Sequence, residues 1–290
     1  MKTPASLWRG IPLIWHRLLL RILRFAVFAA AGLTALITIF LIGYILVKGI
    51  PNLTPSLFAP VYTSENVSLF PALVNTILIT ALSLLLAVPP GVFAAVYLVE
   101  YARRGNRLVR VARIAAETLT GIPSIVYGLF GMLLFVVWLH WGYSLIAGAF
   151  TLAVMVLPLI MRTTEEALLS VPDIYREGSF GLGAGRLRTV FHIVLPAAGP
   201  GILAGVILSI GRIVGETAAL IFTAGTLAKF SGDLFSSART LSVHIYNLSS
   251  EALYLNQAYA TAVLLLALVL CINALSSLMA KKLTRGTRDE

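Results

Sequence analysis

Charge is what this chain has least of. Only 12% of its 290 residues are Asp, Glu, Lys or Arg, while 59% are hydrophobic. A typical globular chain is about 25% charged. With a mean hydropathy of +0.93, the sequence is too apolar for a disordered chain and too apolar to hide its surface in one soluble core. Cysteine is almost absent. Cys271 stands alone, which excludes an intrachain disulfide and a cysteine metal cluster, and its expected role is that of a small apolar filler. No G-x-x-x-x-G-K-[ST] phosphate loop occurs, nor an H-E-x-x-H pair or zinc-like Cys/His spacing. His16, His140, His192 and His244 are scattered. No cofactor or metal is expected on this chain, and enzyme chemistry has no motif to rest on. Acidic residues are outnumbered 12 to 22, for a net charge of +10. In a soluble protein that excess points to nucleic acid. In a chain this apolar it reads as the Lys and Arg of loops on one membrane face, with the lipid bilayer as partner and no nucleic acid.

What the sequence has instead is long apolar runs. Backbone groups in hydrocarbon must be satisfied internally, so runs of about 20 residues read as helices. Six such spans are expected, at about 25–47, 73–99, 122–141, 144–161, 201–224 and 259–280. The expectation is an all-α polytopic membrane protein with a basic N-terminal segment (1–24), a transmembrane region (25–280) and a basic tail (281–290). The first apolar run is longer than the 7–15 residues usual in a signal peptide, so it reads as an anchor. Residues 8–24 interleave aromatic, aliphatic and basic side chains, either as an interfacial helix or as a simple charged flank. Six spans put both termini on one side. That side carries the clusters Lys2–Arg24, Arg103–Arg113, Arg162–Arg188 and Lys281–Arg288, against Lys48, Lys229 and Arg239 on the other. The imbalance places both termini in the cytoplasm of an inner (plasma) membrane protein.

Three polar features stand out. A cytoplasmic loop, about 162–198, holds Pro172-Asp173 as a helix start, then Glu177 and the small residues Gly178, Ser179, Gly181 and Gly183, and closes on Ile193-Val194-Leu195-Pro196. It reads either as a solvated connector or as a short helix able to seat closely against another protein. Within the fifth span, Gly211-Arg212-Ile213-Val214-Gly215-Glu216-Thr217-Ala218 places an arginine near the bilayer midplane, where it costs about 3 kcal/mol. Arg212 and Glu216 are four apart and would share a helical face, either as a self-neutralised structural pair or as residues of an anion path. The planar guanidinium fork suits phosphate-type oxyanions. The third feature is Thr120-Gly121-Ile122-Pro123-Ser124-Ile125-Val126-Tyr127-Gly128, whose Ser124 and Tyr127 either line a polar route or pack between helices. Pro89-Pro90-Gly91 is expected to kink the second span.

The loop pattern Glu177-Gly178-Ser179 … Gly183 … Ile193 … Leu195-Pro196 resembles the EAA loop of ABC-importer permeases, with Gly-Ser where two alanines are usual. The stretch around Arg212, Gly121-Ile122-Pro123-Ser124 and Asn75-Thr76 are together similar to phosphate ABC-importer permeases, nearest the A-type subunit, over about residues 70–280. The resemblance implies a MetI-like permease architecture and a transport subunit that is not itself an enzyme. It implies a second, C-type permease subunit, a cytoplasmic ATPase dimer that binds ATP and magnesium, and an extracytoplasmic phosphate-binding protein. It places Glu177, Gly178, Ser179 and Gly183 in the ATPase-coupling element. It places Arg212 and Glu216, with Thr217 and Ser124, along the substrate path. A C-type phosphate permease and a permease for another oxyanion, such as sulfate or molybdate, remain the alternatives. Outside the class, a membrane-embedded enzyme, a secondary transporter and an assembly protein stay open as rivals.

Overall fold

The computed structural model describes residues 13–103, 105–230, 232–250 and 254–286, with side chains between residues 19 and 278. Residues 1–12, and with them the start of the expected interfacial segment, lie outside it. Among the described residues the chain is helical, without strands. Its elements are α1 (Leu13–Gly49), α2 (Phe70–Val96), α3 (Arg107–Thr120), α4 (Ser124–Gly131), α5 (Leu145–Leu169), α6 (Asp173–Gly181), α7 (Arg186–Thr189), α8 (Leu195–Val214), α9 (Ala218–Thr223), α10 (Leu241–Ser250) and α11 (Leu255–Gly286). Five helical stretches are long and apolar enough to cross a membrane, and α3 with α4 forms a sixth that is bent by 103°.

The central element is α5. Its Leu152, Met155, Val156 and Ile160 are buried against α2, α8 and α9 in the main apolar cluster. The helix does not stop where the apolar run stops. It continues through Arg162–Glu166 to Leu169, because Arg, Thr, Glu and Ala still favour helix once the backbone reaches water. The expected connector of 162–198 therefore shrinks to the segment between Leu169 and Arg186. At the other end of the chain α1 behaves oppositely. Its apolar stretch has no buried residues, which suits a helix bathed in lipid, and it attaches near its end through Tyr44 and Tyr259, whose rings meet edge-on at 5.8 Å.

Several expected spans are interrupted or extended. Helix α2 runs on through Pro89 and Pro90, and the irregularity falls about two turns later, in a π-helical turn at Tyr97–Tyr101. The chain likewise passes Pro196 without leaving the helix. A π turn at Val190–Val194 joins α7 to α8, so one helix spans Arg186–Val214. Widening the turn before a proline accommodates the missing N–H and the ring. The expected span 201–224 does not run as one helix. It ends at Val214, is capped by Gly215 and restarts at Ala218 after Thr217, whose φ of −122° and ψ of −53° are not helical. Two elements are new relative to the apolar runs: the amphipathic α3, and α10, whose Leu241, Val243, His244 and Leu248 are buried inside what reads as a polar outer loop.

Candidate translocation groove and docking loop

Arg212 sits two residues before the end of α8 and is half-buried, while Ile213 and Val214 after it are buried. It opens on a groove of about 580 Å³ walled by Leu159 of α5, Ala204, Leu208 and Gly211 of α8 and Asn273 of α11. Among the described residues it pairs with no carboxylate. The expected pair with Glu216 is not formed. The i, i+4 spacing brings two side chains together only if the helix continues between them, and here it stops at Gly215. Glu216 belongs to the next element. It is buried, its Oε1 accepts from the Ala219 N–H at 3.1 Å, and its carbonyl accepts from Ser242 Oγ at 2.5 Å. A carboxylate on the free amides of a helix start is well placed electrostatically. Glu216 thus caps α9 and ties it to α10, while Arg212 keeps a free guanidinium.

The helix α4 stands beside this break. A side-chain carbon added at Gly128 would lie 2.8 Å from the Ala219 Cα, so the two backbones touch and only glycine fits. That contact, followed by Gly131 against Thr223, sets α4 and α9 in parallel. Ser124, the first residue of α4, is partly exposed. Tyr127 lies within electrostatic reach of Arg212, but its hydroxyl is committed to the Leu119 carbonyl at 2.7 Å and clasps the α3–α4 bend. Of the four expected path residues, Arg212 lies on the groove, Thr217 sits in the break, Glu216 turns inward, and Ser124 starts α4 without lining the groove. Asn273 joins them unexpectedly. One amide inside the apolar run 259–280 was the available signal, since a polar group at that depth is costly unless used.

At the end of the bundle away from the arginine-rich loops, Asn75 and Thr76 are structural. Asn75 Nδ2 donates to the carbonyls of Lys229 and Arg239 at 2.9 and 3.2 Å, and Thr76 Oγ1 accepts from the Leu241 N–H at 2.9 Å. They pin the outer loop onto α2. Beneath it His244 is buried against Arg239, whose Nη1 donates to Nδ1 at 3.3 Å. Burial first, and the Arg239 charge second, push the imidazole down from its usual 6.5 to about 4.

At the arginine-rich end the docking loop is built around Arg176. Its Nε and Nη2 donate to Glu100 Oε1 at 3.1 and 2.8 Å, Nη2 to the Leu168 carbonyl at 2.9 Å, and Nη1 to the Val171 carbonyl at 2.8 Å and Asp173 Oδ1 at 3.1 Å. One side chain therefore fastens α6 to the end of α5 and to the π turn of α2. Asp173 starts α6 as expected, but its carboxylate serves Arg176. Glu177 and Gly178 face outward, among the exposed Ile174, Tyr175, Phe180 and Leu182, the last 92% exposed. Ser179 faces the other way, with its hydroxyl 2.8 Å from that of Thr189 under the helix. Gly183 adopts φ +82° and turns the chain out of α6, a conformation that costs other residues about 1–2 kcal/mol.

Helices throughout the described residues, several of them long and apolar enough to cross a membrane, with an arginine free of carboxylate partners inside one of them, fit a membrane transport component. The comparisons narrow the class. A family model described as the binding-protein-dependent transport system inner membrane component matches residues 87–289. The probable ABC transporter permease protein YqgI of Bacillus subtilis is 36% identical over 241 residues, 77% of this chain and 81% of the relative. The phosphate transport system permease protein PstA of Haemophilus influenzae is 36% identical over 238 residues, 81% of this chain and 84% of the relative. A crystal structure of a bacterial ABC transporter involved in alginate import superposes with a TM-score of 0.64 at 19% identity, covering 92% of this chain and 99% of that one. This last likeness shows the fold. The chain belongs to the binding-protein-dependent transport system inner membrane component family, and it is a polytopic permease of the inner membrane.

Proposed function

We propose that the chain is the A-type permease subunit of an ATP-driven phosphate importer, with its arginine-rich side and both termini in the cytoplasm. The observation that carries the reading is Arg212, a guanidinium without a carboxylate partner that opens on a groove from within a helix long and apolar enough to cross a membrane. An intramembrane cation without a structural partner is expected to serve a pathway, and a planar five-donor fork suits a tetrahedral oxyanion. The Asn273 amide adds a neutral hydrogen-bonding group on the facing helix. The anion is held by one charge and one amide, which is strong enough for entry and weak enough for release. A C-type permease completes the path, and a phosphate-binding protein delivers substrate on the outer side. An ATPase dimer covers the apolar surface of α6, with Glu177 and Gly178 at the contact. Ser179 and Gly183 act from behind, holding and turning the helix. ATP-driven closure pushes on α6, and the Arg176–Glu100 link passes that movement to α2.

The test is labelled-phosphate uptake in starved cells lacking this gene, complemented with wild type, Arg212→Gln or Arg212→Lys, with membrane levels matched. Losing a charged hydrogen-bonding partner of about 1.5–3 kcal/mol lowers uptake about 10- to 150-fold in Arg212→Gln. Arg212→Lys keeps the charge without the fork and recovers part of it. Full uptake by Arg212→Gln refutes the pathway role. Inhibition by excess sulfate reassigns the anion.

A further inference from the structure

The bent pair leaves one helix that the transport reading does not use. Helix α3 meets α4 at 103° and so lies across the direction of the spans. It is held at the height where α5 turns from apolar to charged: Arg113 Nε sits 2.7 Å from Glu165 Oε1, and Arg162 Nη1 lies 3.8 Å from Glu117. At 100° per residue its side chains divide into three faces. Val109 and Ala116 are buried against the core. Arg110, Arg113 and Glu117 form a charged face. Roughly opposite it, Leu108, Val111 and Ala115 form an apolar face, with Leu108 77% and Val111 62% exposed. Where the charged side meets the end of α2, a groove of about 480 Å³ is lined by Arg103, Arg110 and Arg113 together with Gly105 and Asn106 of the turn between the helices; Glu117 also lines it, its carboxylate facing Arg162. Arg113 is answered by Glu165. Arg103 and Arg110 pair with no carboxylate among the described residues.

We propose that α3 is an interfacial helix and that the Arg103–Arg110 groove binds the phosphate of an anionic phospholipid headgroup, with the acyl chains lying along Leu108 and Val111. The chemistry asks for a ligand that is anionic at one end and apolar beside it. The two faces of α3 point in opposite directions, as the water and hydrocarbon sides of a membrane surface do. Two unpaired guanidiniums at that surface complement a phosphodiester. A free phosphate ion would satisfy the arginines and leave the apolar face uncovered. The inference is independent of what Arg212 transports.

The experiment is native mass spectrometry of the purified transporter complex titrated with phosphatidylglycerol, phosphatidylcholine or inorganic phosphate. Wild type retains phosphatidylglycerol in preference to phosphatidylcholine. Arg103→Gln/Arg110→Gln lowers that retention about tenfold, while the charge-matched Lys48→Gln/Arg188→Gln does not. Leu108→Asn/Val111→Asn, which leaves the arginines in place, also lowers it. Equal retention of the two lipids, or no loss in Arg103→Gln/Arg110→Gln, overturns the proposal. Displacement of the lipid by millimolar inorganic phosphate overturns it in favour of the free ion. Uptake assays on the same variants fail separately if the phosphate reading of Arg212 is wrong.

Discussion

Replacing Arg176 by methionine should release the docking helix without unfolding the protein. The side chain is 14% exposed and its partner Glu100 8%, so the ion pair is close to fully buried. Removing one member of such a pair leaves an uncompensated charge and costs about 3–5 kcal/mol. The lower figure applies here, because Glu100 lies at the end of α2 and regains water once α6 lifts away. About 3 kcal/mol corresponds to about 150-fold in the equilibrium between seated and detached α6. The loss is local, since Arg176 reaches only the carbonyls of Leu168 and Val171, Asp173 and Glu100. Hydrogen exchange of the amides in 173–181, measured on the purified chain, should accelerate about 100-fold while those of the α5 core around Leu152 stay protected. Arg176→Met/Glu100→Gln removes both charges and should recover most of the protection, because the penalty lies in the orphaned carboxylate. Exchange in α6 within about threefold of wild type in Arg176→Met would refute the anchoring role. So would a double variant as exposed as the single one.

Gly183→Ala must place a side chain at φ +82°. It should destabilise the α6–α7 turn by about 1 kcal/mol, read as faster proteolysis between Gly181 and Arg186 with the spans intact. His244 titrates near 4 in the folded chain against 6.5 when unfolded, so between those values the unfolded state binds more protons. Stability is full above pH 6.5, falls as the pH drops toward 4, and loses about 3 kcal/mol across that window. A thermal-melt series that stays flat from pH 7 to 4, or an identical slope in His244→Gln, would contradict the burial of a neutral imidazole. Gly128→Leu should prevent α4 and α9 from touching at Ala219, leaving little assembled protein in the membrane. Normal membrane levels would show that the close backbone contact is dispensable.

The spans were legible because hydrocarbon imposes a length and forbids unpaired backbone. Every apolar run of about 20 residues contains a helix. The ends of those helices were less legible, since the run marks where the lipid stops and not where the backbone hydrogen bonds stop. Helix α5 carries on through Arg162 and Glu166 in water. Helix α8 breaks at Gly215 inside an apolar stretch, where the chain turns within the protein. That break decides the site. The spacing of Arg212 and Glu216 suggested a neutralised pair, and only the interruption between them shows the carboxylate spent on the start of α9 and the guanidinium left free. Amphipathic α3 carried a readable pattern in Leu108, Val111 and Ala115, but its arginines marked it first as a loop. Helix α10 had no such pattern, because Leu241, Val243 and Leu248 pack into three separate apolar clusters instead of lining one stripe.

Breaks of this kind have a mechanical consequence. Three widened π turns, at Tyr97–Tyr101, Met132–Trp138 and Val190–Val194, interrupt the described helices. Two of them lie at the level of the docking helix: one carries Glu100, which Arg176 grips, and the other directly follows Thr189, which Ser179 grips. Helix α6 is therefore bonded to α2 and α7 at points where their regular i→i+4 hydrogen bonding is already relaxed. Under the proposed coupling role, a push on α6 would meet the spans at these relaxed turns rather than at the buried middle of α5. That arrangement would make α6 a lever on the two helices that flank α5, one of which carries Arg212 in its last turn.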